Sequence, residues 1–213
     1  TRVPVVTLRG ILGLPGIGLD NRAVAQLVGR HFIELGLRHF GFCGLPGGEA
    51  RITDARCKYF RQLIEEAGYP CSVYVPRPGG HRGANWEQEQ ARLARWLKKL
   101  PKPVGIMTGY DEHGLQVLNA CRRIGLLVPD EVAVVGVLND ELLCGLASPP
   151  LSSVDLNPER IGYEAAALLD RLMAGAEPPK EISEFPPRGL VVRQSSDMAG
   201  ITDRQVAAAL RFI

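Results

Sequence analysis

The sequence lacks the features by which several classes of protein are recognised. No apolar run in its 213 residues approaches the roughly 18 residues that a membrane-spanning helix needs. The 25 basic and 23 acidic residues leave a net charge of only +2, which argues against a nucleic-acid-coating surface and against an acidic tail. The five cysteines are an odd number without a C-x-x-C pair. They predict free thiols in a reducing, cytoplasmic compartment.

The common catalytic and cofactor motifs are missing as well. There is no G-x-x-x-x-G-K-[ST] phosphate loop and no G-x-S-x-G nucleophile elbow. Gly16 and Gly18 begin like a dinucleotide fingerprint, but Asn21 stands where its third glycine belongs. The four histidines never form a ligand-spaced pair. The sequence therefore predicts a protein that is not an enzyme, with no catalytic residues, no cofactor and no metal site.

What the sequence does contain is a regular alternation of predicted strands and helices. Apolar runs predict strands at 3–8, 40–43, 71–75, 103–108, 132–137, 151–154 and 189–193. Helical spacing of apolar residues predicts helices at about 22–35, 53–67, 87–100, 112–124 and 158–174. This alternation predicts right-handed βαβ units and an α/β fold, with a parallel sheet flanked by helices.

Four residues in or beside the loops that follow these strands are candidates for ligand binding: Arg56, Trp86, Asp111 and Asn139. Ligands of such folds bind beyond the carboxyl ends of the strands, and a sugar needs hydrogen-bond donors, an acceptor and an aromatic face. Each residue also has a structural alternative. Arg56 could be a solvated helix residue, and Trp86 a core-packing aromatic at a helix start. Asp111 could be an N-cap, and Asn139 a turn residue.

Several stretches resemble the sensor domain of the lac-repressor/galactose-repressor regulators, over about residues 1 to 195. The most specific are residues 129–136, P-D-E-V-A-V-V-G, and residues 149–154, P-P-L-S-S-V, which resemble P-x-D-x-x-V-x-G and P-P-L-T-T-I. Further matches lie at residues 18–23, at residues 35–40, and at Arg56 with the following Tyr-Phe pair. The resemblance implies a type I periplasmic-binding-protein-like sensor, in which a sugar bridges two subdomains.

Within that family the chain resembles the bacterial xylose-operon regulators, which carry a C-terminal helix-turn-helix domain of the arabinose-regulator type. The tail carries this likeness, because residues 195–197 and 201–213 resemble the start of that domain, with Thr202 and Gln205 in a capping-box pattern. The alternative is an amphipathic helix docked on the sensor. The resemblance implies a pentose effector, xylose, DNA bound through a domain beyond Ile213, a homodimer and no membrane.

The resemblance also implies a role for each candidate residue. Arg56 would donate to sugar hydroxyls, Trp86 would stack on the ring, Asp111 would accept hydroxyl protons, and Asn139 would lie in the equivalent loop. One position departs from the family pattern. Leu138 stands where the family's G-x-D-N motif has aspartate, so an acceptor for sugar hydroxyls is missing there.

The same resemblance divides the chain between two subdomains. Residues 1–19 would be a remnant of the N-terminal subdomain, and residues 20–149 the C-terminal subdomain. Residues 150–176 would supply a strand and helix of the N-terminal subdomain, residues 177–198 would return to the C-terminal one, and residues 199–213 would begin the DNA-binding domain. We therefore expect a fragment with a nearly complete C-terminal subdomain and an N-terminal subdomain that is largely missing.

Two other functions compete with a sugar-responsive regulator at this stage. The first is a periplasmic sugar-binding protein that feeds a transporter, against which the unpaired cysteines and the DNA-binding-like tail argue. The second is a flavodoxin-like enzyme acting on a sugar or a phosphorylated sugar. It would need a general base and a cofactor or metal site, and the sequence offers no pattern for either.

Overall fold

Strands and helices alternate along the computed structural model, which describes residues 3–8, 14–44, 51–77 and 86–198. The strands are β1 Ile17–Leu19, β2 His39–Cys43, β3 Cys71–Tyr74, β4 Val104–Thr108, β5 Val132–Leu138, β6 Ser152–Asp155, β7 Ser183–Phe185 and β8 Gly189–Val191. The helices are α1 Asn21–Glu34, α2 Arg51–Glu66, α3 Trp86–Lys99, α4 Asp111–Ile124, α5 Glu141–Leu146 and α6 Pro158–Met173.

Six of the strands form one twisted sheet in the order β3-β2-β4-β5-β6-β8. The pairs are parallel except for β8, which runs antiparallel to β6. The predicted parallel sheet flanked by helices is therefore confirmed. After β2 the chain builds β3 on one side and then crosses to build β4 on the other. This reversal makes the gap between β2 and β4 the topological switch point, where ligands of open α/β sheets bind.

The central strands are covered on both faces. Every residue of β4 is buried, as is every residue of β5 from Val132 to Val137. Neighbouring residues enter opposite cores: Val135 packs with residues of α1 and α2, while Val134 packs with residues of α3 and α4. A strand covered by helices on both sides has no solvent face, which explains why the sequence of β5 is apolar throughout.

A second, two-stranded sheet consists of β1 and β7, which pair in parallel, and α6 packs against β1. The strand predicted at 3–8 is wrong, because that segment contributes only an isolated bridge between Thr7 and Gly16 and the strand follows at Ile17. On α6 only Leu168 is buried, while Tyr163 is 73% exposed. The helix thus leaves much of its surface uncovered.

Strand pairing also corrects two of the expected subdomain boundaries. Residues 152–155 were expected in the N-terminal subdomain, but β6 pairs with β5 inside the six-stranded sheet. Residues 183–185 were expected in the C-terminal subdomain, but β7 pairs with β1 in the small sheet. The chain therefore leaves the large sheet after Asp155 and returns at Gly189. A short apolar run predicts a strand but not its partner, which explains both errors. The expected DNA-binding start at 199–213 lies outside the described residues.

Candidate functional site

Arg56 lies at the switch point and is completely buried. Its Nη1 donates to the carbonyl oxygen of Gly109, directly after β4, at 2.7 Å. The amide of Gly109 in turn donates to the carbonyl of Cys43, the last residue of β2, at 2.9 Å. The guanidinium therefore lies where the carboxyl ends of the two strands that flank the switch point meet.

Two further groups orient the Arg56 side chain and leave one nitrogen unused. Its Nε donates to Oδ1 of Asn21 at 3.0 Å, and its guanidinium carbon lies 5.1 Å from the centre of the Tyr110 ring. Asn21 is fixed by its own bond to the carbonyl of Leu19. Nη2 of Arg56 is buried and donates to no group in the part of the chain that the structure describes. Such a buried donor is costly unless a ligand oxygen occupies the position beside it.

Burial also changes the acidity of this cation. Removal from water disfavours the charged form and lowers the pKa of Arg56 to about 10, against which Tyr110 and the carboxylate of Asp111 act. The group remains positively charged at neutral pH. The site therefore offers a charged donor in a poorly hydrated environment, where its hydrogen bonds to neutral oxygens are strong.

Asp111, the first residue of α4, is fully buried beside this group. Its Oδ1 accepts from Oγ of Ser153 at 2.6 Å, and its Oδ2 accepts from the amide of Asp140 at 2.9 Å. Burial raises the pKa of the carboxyl, and both hydrogen bonds oppose that rise. Asp111 does not cap its own helix, since the N-cap is Tyr110. The carboxylate instead ties the loop after β5 to the second residue of β6.

Asn139 lies in that loop, with an unusual backbone. Leu138 and Asn139 have positive φ values, 129° and 55°. Residues other than glycine rarely adopt a positive φ, and those that do are often found at functional sites. The backbone amide of Asn139 donates to Oγ of Ser153 at 2.9 Å. The side-chain Oδ1 of Asn139 accepts from Nη2 of Arg193 at 2.9 Å. Leu138 is 39% exposed. The loop thus presents one apolar and one amide side chain at the end of β5.

Trp86, which was predicted to stack on a sugar ring, contacts an arginine of α4. Its ring, at the start of α3, lies under the guanidinium of Arg123, 5.5 Å from centre to carbon. Arg123 is in the last turn of α4, about 18 Å along the helix from Asp111. Arg56, Asp111 and Asn139 are joined by contacts around the strand ends, whereas the contact of Trp86 is with the last turn of α4.

Sequence reasoning missed four residues of this site: Asn21, Tyr110, Ser153 and Arg193. Tyr110 had a local signal, because it directly follows the end of a buried strand. Ser153 lies in the P-P-L-S-S-V motif, which was read for its family likeness and not for its chemistry. Arg193 had no local signal, because its partner Asn139 is 54 residues away in the chain.

In the part of the chain that the structure describes, no group of three or more histidine, cysteine, aspartate or glutamate side chains could hold a metal ion. None of the described helices is long and apolar enough to cross a membrane. A large doubly wound sheet, a small second sheet and a chain that passes between them define the type I periplasmic-binding-protein-like fold.

Comparison with known proteins gives the family. Residues 30–196 match the family described as periplasmic binding protein-like domain, and the chain belongs to this family. It is 34% identical over 198 residues to the xylose operon regulatory protein of Escherichia coli strain K12, covering 92% of this chain and 50% of that protein. The corresponding regulator of Haemophilus influenzae is 34% identical over 200 residues, covering 93% of this chain and 51% of that protein. The chain thus spans about half the length of these relatives.

Solved structures agree with this assignment. A xylose-binding transcription activator superposes with a TM-score of 0.87 at 32% identity, covering 98% of this chain and 57% of that one. A LacI family regulator from Arthrobacter sp. FB24, in complex with lactose, superposes with a TM-score of 0.75 at 26% identity, covering 91% and 70%. The predicted fold and the resemblance to lac-repressor-type sensors and xylose-operon regulators are confirmed.

Proposed function

We propose that this chain is the effector-sensing part of a sugar-responsive transcription regulator, with D-xylose as the effector. The observation that carries the proposal is the buried Nη2 of Arg56, which donates to no described group at the switch point of the sheet. The regulators named above, one of them a xylose-binding activator, support the same function. Their names are those of regulators and not of enzymes.

Some of the site residues would contact the sugar directly, and others would hold those residues in position. Arg56 would donate to a sugar hydroxyl, and the ring of the half-buried Tyr110 would stack on an apolar part of the sugar. The side-chain nitrogen of Asn139 would donate to the sugar at the end of β5, while its Oδ1 stays bonded to Arg193. Asn21 and Asp111 would hold these groups in place, because their hydrogen bonds are already made within the protein.

Sugar binding would act on DNA through a shift of population. A ligand that contacts both the strand ends of the large sheet and the subdomain containing the small sheet favours the closed arrangement of the two. That shift would change the spacing of DNA-binding domains attached beyond Ile213. The proposal includes a homodimer, which the family resemblance implies. It also includes a cytoplasmic location, because a bacterial transcription regulator acts on DNA there.

Binding of D-xylose to the full chain, measured by titration calorimetry and compared with other pentoses and hexoses, tests the proposal. Arg56→Met removes the donor, and we expect it to weaken binding at least about tenfold, the effect of one charged hydrogen bond. The control is Arg61→Met, because Arg61 lies on the same helix but forms only an exposed pair with Glu65. No saturable binding of any sugar by the folded protein would overturn the proposal, as would equal affinities of the two variants.

A further inference from the structure

Two consecutive serines of β6 contact different parts of the molecule. Because neighbouring residues of a strand point to opposite faces, Ser153 and Ser152 reach in opposite directions. Ser153 donates to Asp111 and accepts from the amide of Asn139, both at the proposed effector site. Ser152 accepts from the amide of Arg193 and donates to its carbonyl, each at 2.8 Å. The strand thus separates the site from the segment 193–198 by the thickness of one backbone.

Arg193 joins the two sides. Its Nη2 donates to Oδ1 of Asn139 at 2.9 Å, and its Nη1 donates to the carbonyl of Leu151 at 2.9 Å. Its own carbonyl accepts from the amides of Ser196 and Asp197, at 3.2 and 3.1 Å. One residue therefore fixes the loop after β5 with its side chain and the start of the segment 193–198 with its backbone.

The rest of this segment is held by buried polar contacts. Ser195 and Ser196 are both fully buried. Oγ of Ser195 donates to the carbonyl of Val134 at 2.6 Å, and Oγ of Ser196 donates to Oγ of Ser152 at 2.8 Å. Nε2 of His31, in the last turn of α1, lies 2.9 Å from Oγ of Ser196. Apart from the packing of Met198 against the core, the contacts that hold the segment are therefore hydrogen bonds, which depend on geometry.

We propose that Arg193 is a positioning residue that couples the effector loop to the segment 193–198. Any change at Asn139 on ligand binding alters the guanidinium contact, and through the backbone of Arg193 it alters the bonds that hold Ser196 and Asp197. The segment leads to residue 199, where the sequence predicts the start of the DNA-binding domain. The ligand-dependent part of this inference rests on the proposed function, whereas the coupling itself does not.

Hydrogen exchange in the sugar-free full chain tests the coupling directly. Asn139→Gly removes the acceptor for Arg193 and keeps the backbone conformation, because glycine accepts a positive φ. We expect the amides of Ser195, Ser196 and Asp197 to exchange about three- to tenfold faster relative to amides of β4. That ratio corresponds to the loss of one hydrogen bond.

Asn157→Gly is the matched control. Asn157 also has a positive φ, of 57°, and also accepts a bond from an arginine, Arg188, at 3.1 Å. Arg188 contacts Asp155, Asn157 and Glu159, which are not in the segment 193–198. Equal exchange of the segment in the two variants, relative to β4, would overturn the coupling.

A second measurement separates the coupling from the proposed function. Saturating D-xylose should slow exchange of the segment in the unmodified protein and have a smaller effect in Arg193→Lys, whose single ammonium cannot replace the planar fork. An equal effect of D-xylose in the two proteins would overturn the role of Arg193. If the unmodified protein binds no sugar, the proposed function fails, and the comparison of the two glycine variants still decides the coupling.

Discussion

Nη1 of Arg56 donates to the carbonyl oxygen of Gly109 at 2.7 Å, so a buried cation is fixed at the end of the central strand β4. The carbonyl belongs to the residue that also bonds to the end of β2. The same side chain therefore closes the switch point structurally and offers a free donor to a ligand. Stability and binding should consequently respond together when its geometry changes.

Arg56→Lys tests this double role, because it keeps the charge and removes the planar fork. We expect the free energy of unfolding to fall by about 1–3 kcal/mol, since the bonds to Gly109 and Asn21 cannot both be kept in a buried site. Urea unfolding measures the change. Arg61→Lys, at an exposed ion pair of the same helix, should stay within about 0.5 kcal/mol of the unmodified protein. Equal losses would mean that the buried bonds contribute no net stability.

Leu138 predicts how the sugar affinity can be raised. It is 39% exposed at the end of β5, directly before Asn139, and its side chain offers no acceptor to a hydroxyl. Leu138→Asp should strengthen D-xylose binding about tenfold, because an unpaired sugar hydroxyl would gain a charged acceptor. Titration calorimetry measures the effect. The control is Leu142→Asp on α5, where the leucine is 75% exposed. Weaker binding in Leu138→Asp would indicate that the effector presents an apolar group to this position.

Much of the large sheet could be predicted from the sequence, because its central strands β4 and β5 are largely apolar and predicted helices separate most of its strands. The run 132–137 is the clearest case, and β5 spans Val132–Leu138. The small sheet could not be predicted. Its strands have three residues each, and β1 is the glycine-containing Ile17–Leu19, which carries no alternating pattern. The pairing of β6 and β7 with different sheets is likewise a property of tertiary structure.

The sequence selects a candidate site but does not assign roles to its residues. The rule on strand ends selected Arg56, Trp86, Asp111 and Asn139, and the structure links all of them except Trp86 around the edge of the sheet. Their roles depend on partners far away in the sequence. Asp111 bonds to Ser153 across 42 residues, and Asn139 bonds to Arg193 across 54. No local pattern encodes such pairs, so an internal support and a ligand contact look alike in the sequence.

The choice between Trp86 and Tyr110 as the ring that contacts the sugar can be decided by matched substitutions. Tyr110 lies against Arg56 at the switch point, while Trp86 lies against Arg123 in the last turn of α4. Tyr110→Ala should weaken D-xylose binding about three- to tenfold, since stacking on an aromatic face contributes on the order of 1 kcal/mol. Trp86→Ala should change the dissociation constant less than about twofold. The reverse ranking in calorimetry would restore Trp86 as the stacking residue.

His31 predicts a loss of stability in mild acid. Burial lowers its pKa below the ordinary value of 6.5, against the opposing influence of Glu34, the bond to Ser196 and Asp197. The unfolded chain therefore binds this proton more tightly than the folded protein. The contribution of His31 is fully present above about pH 6.5 and is lost as the pH falls through the lower, folded-state pKa.

Thermal unfolding between pH 7.5 and pH 5 measures this contribution. In His31→Gln, which keeps a polar partner for Ser196, the fall in Tm over that range should be smaller by about 2 °C. His39→Gln, at the start of β2, is the control. If His31→Gln loses as much Tm on acidification as the unmodified protein, protonation of His31 is not what weakens the fold. If acid changes only the hydrogen exchange of the backbone amides of residues 195–197 and not the Tm, protonation of His31 acts locally on the segment 193–198.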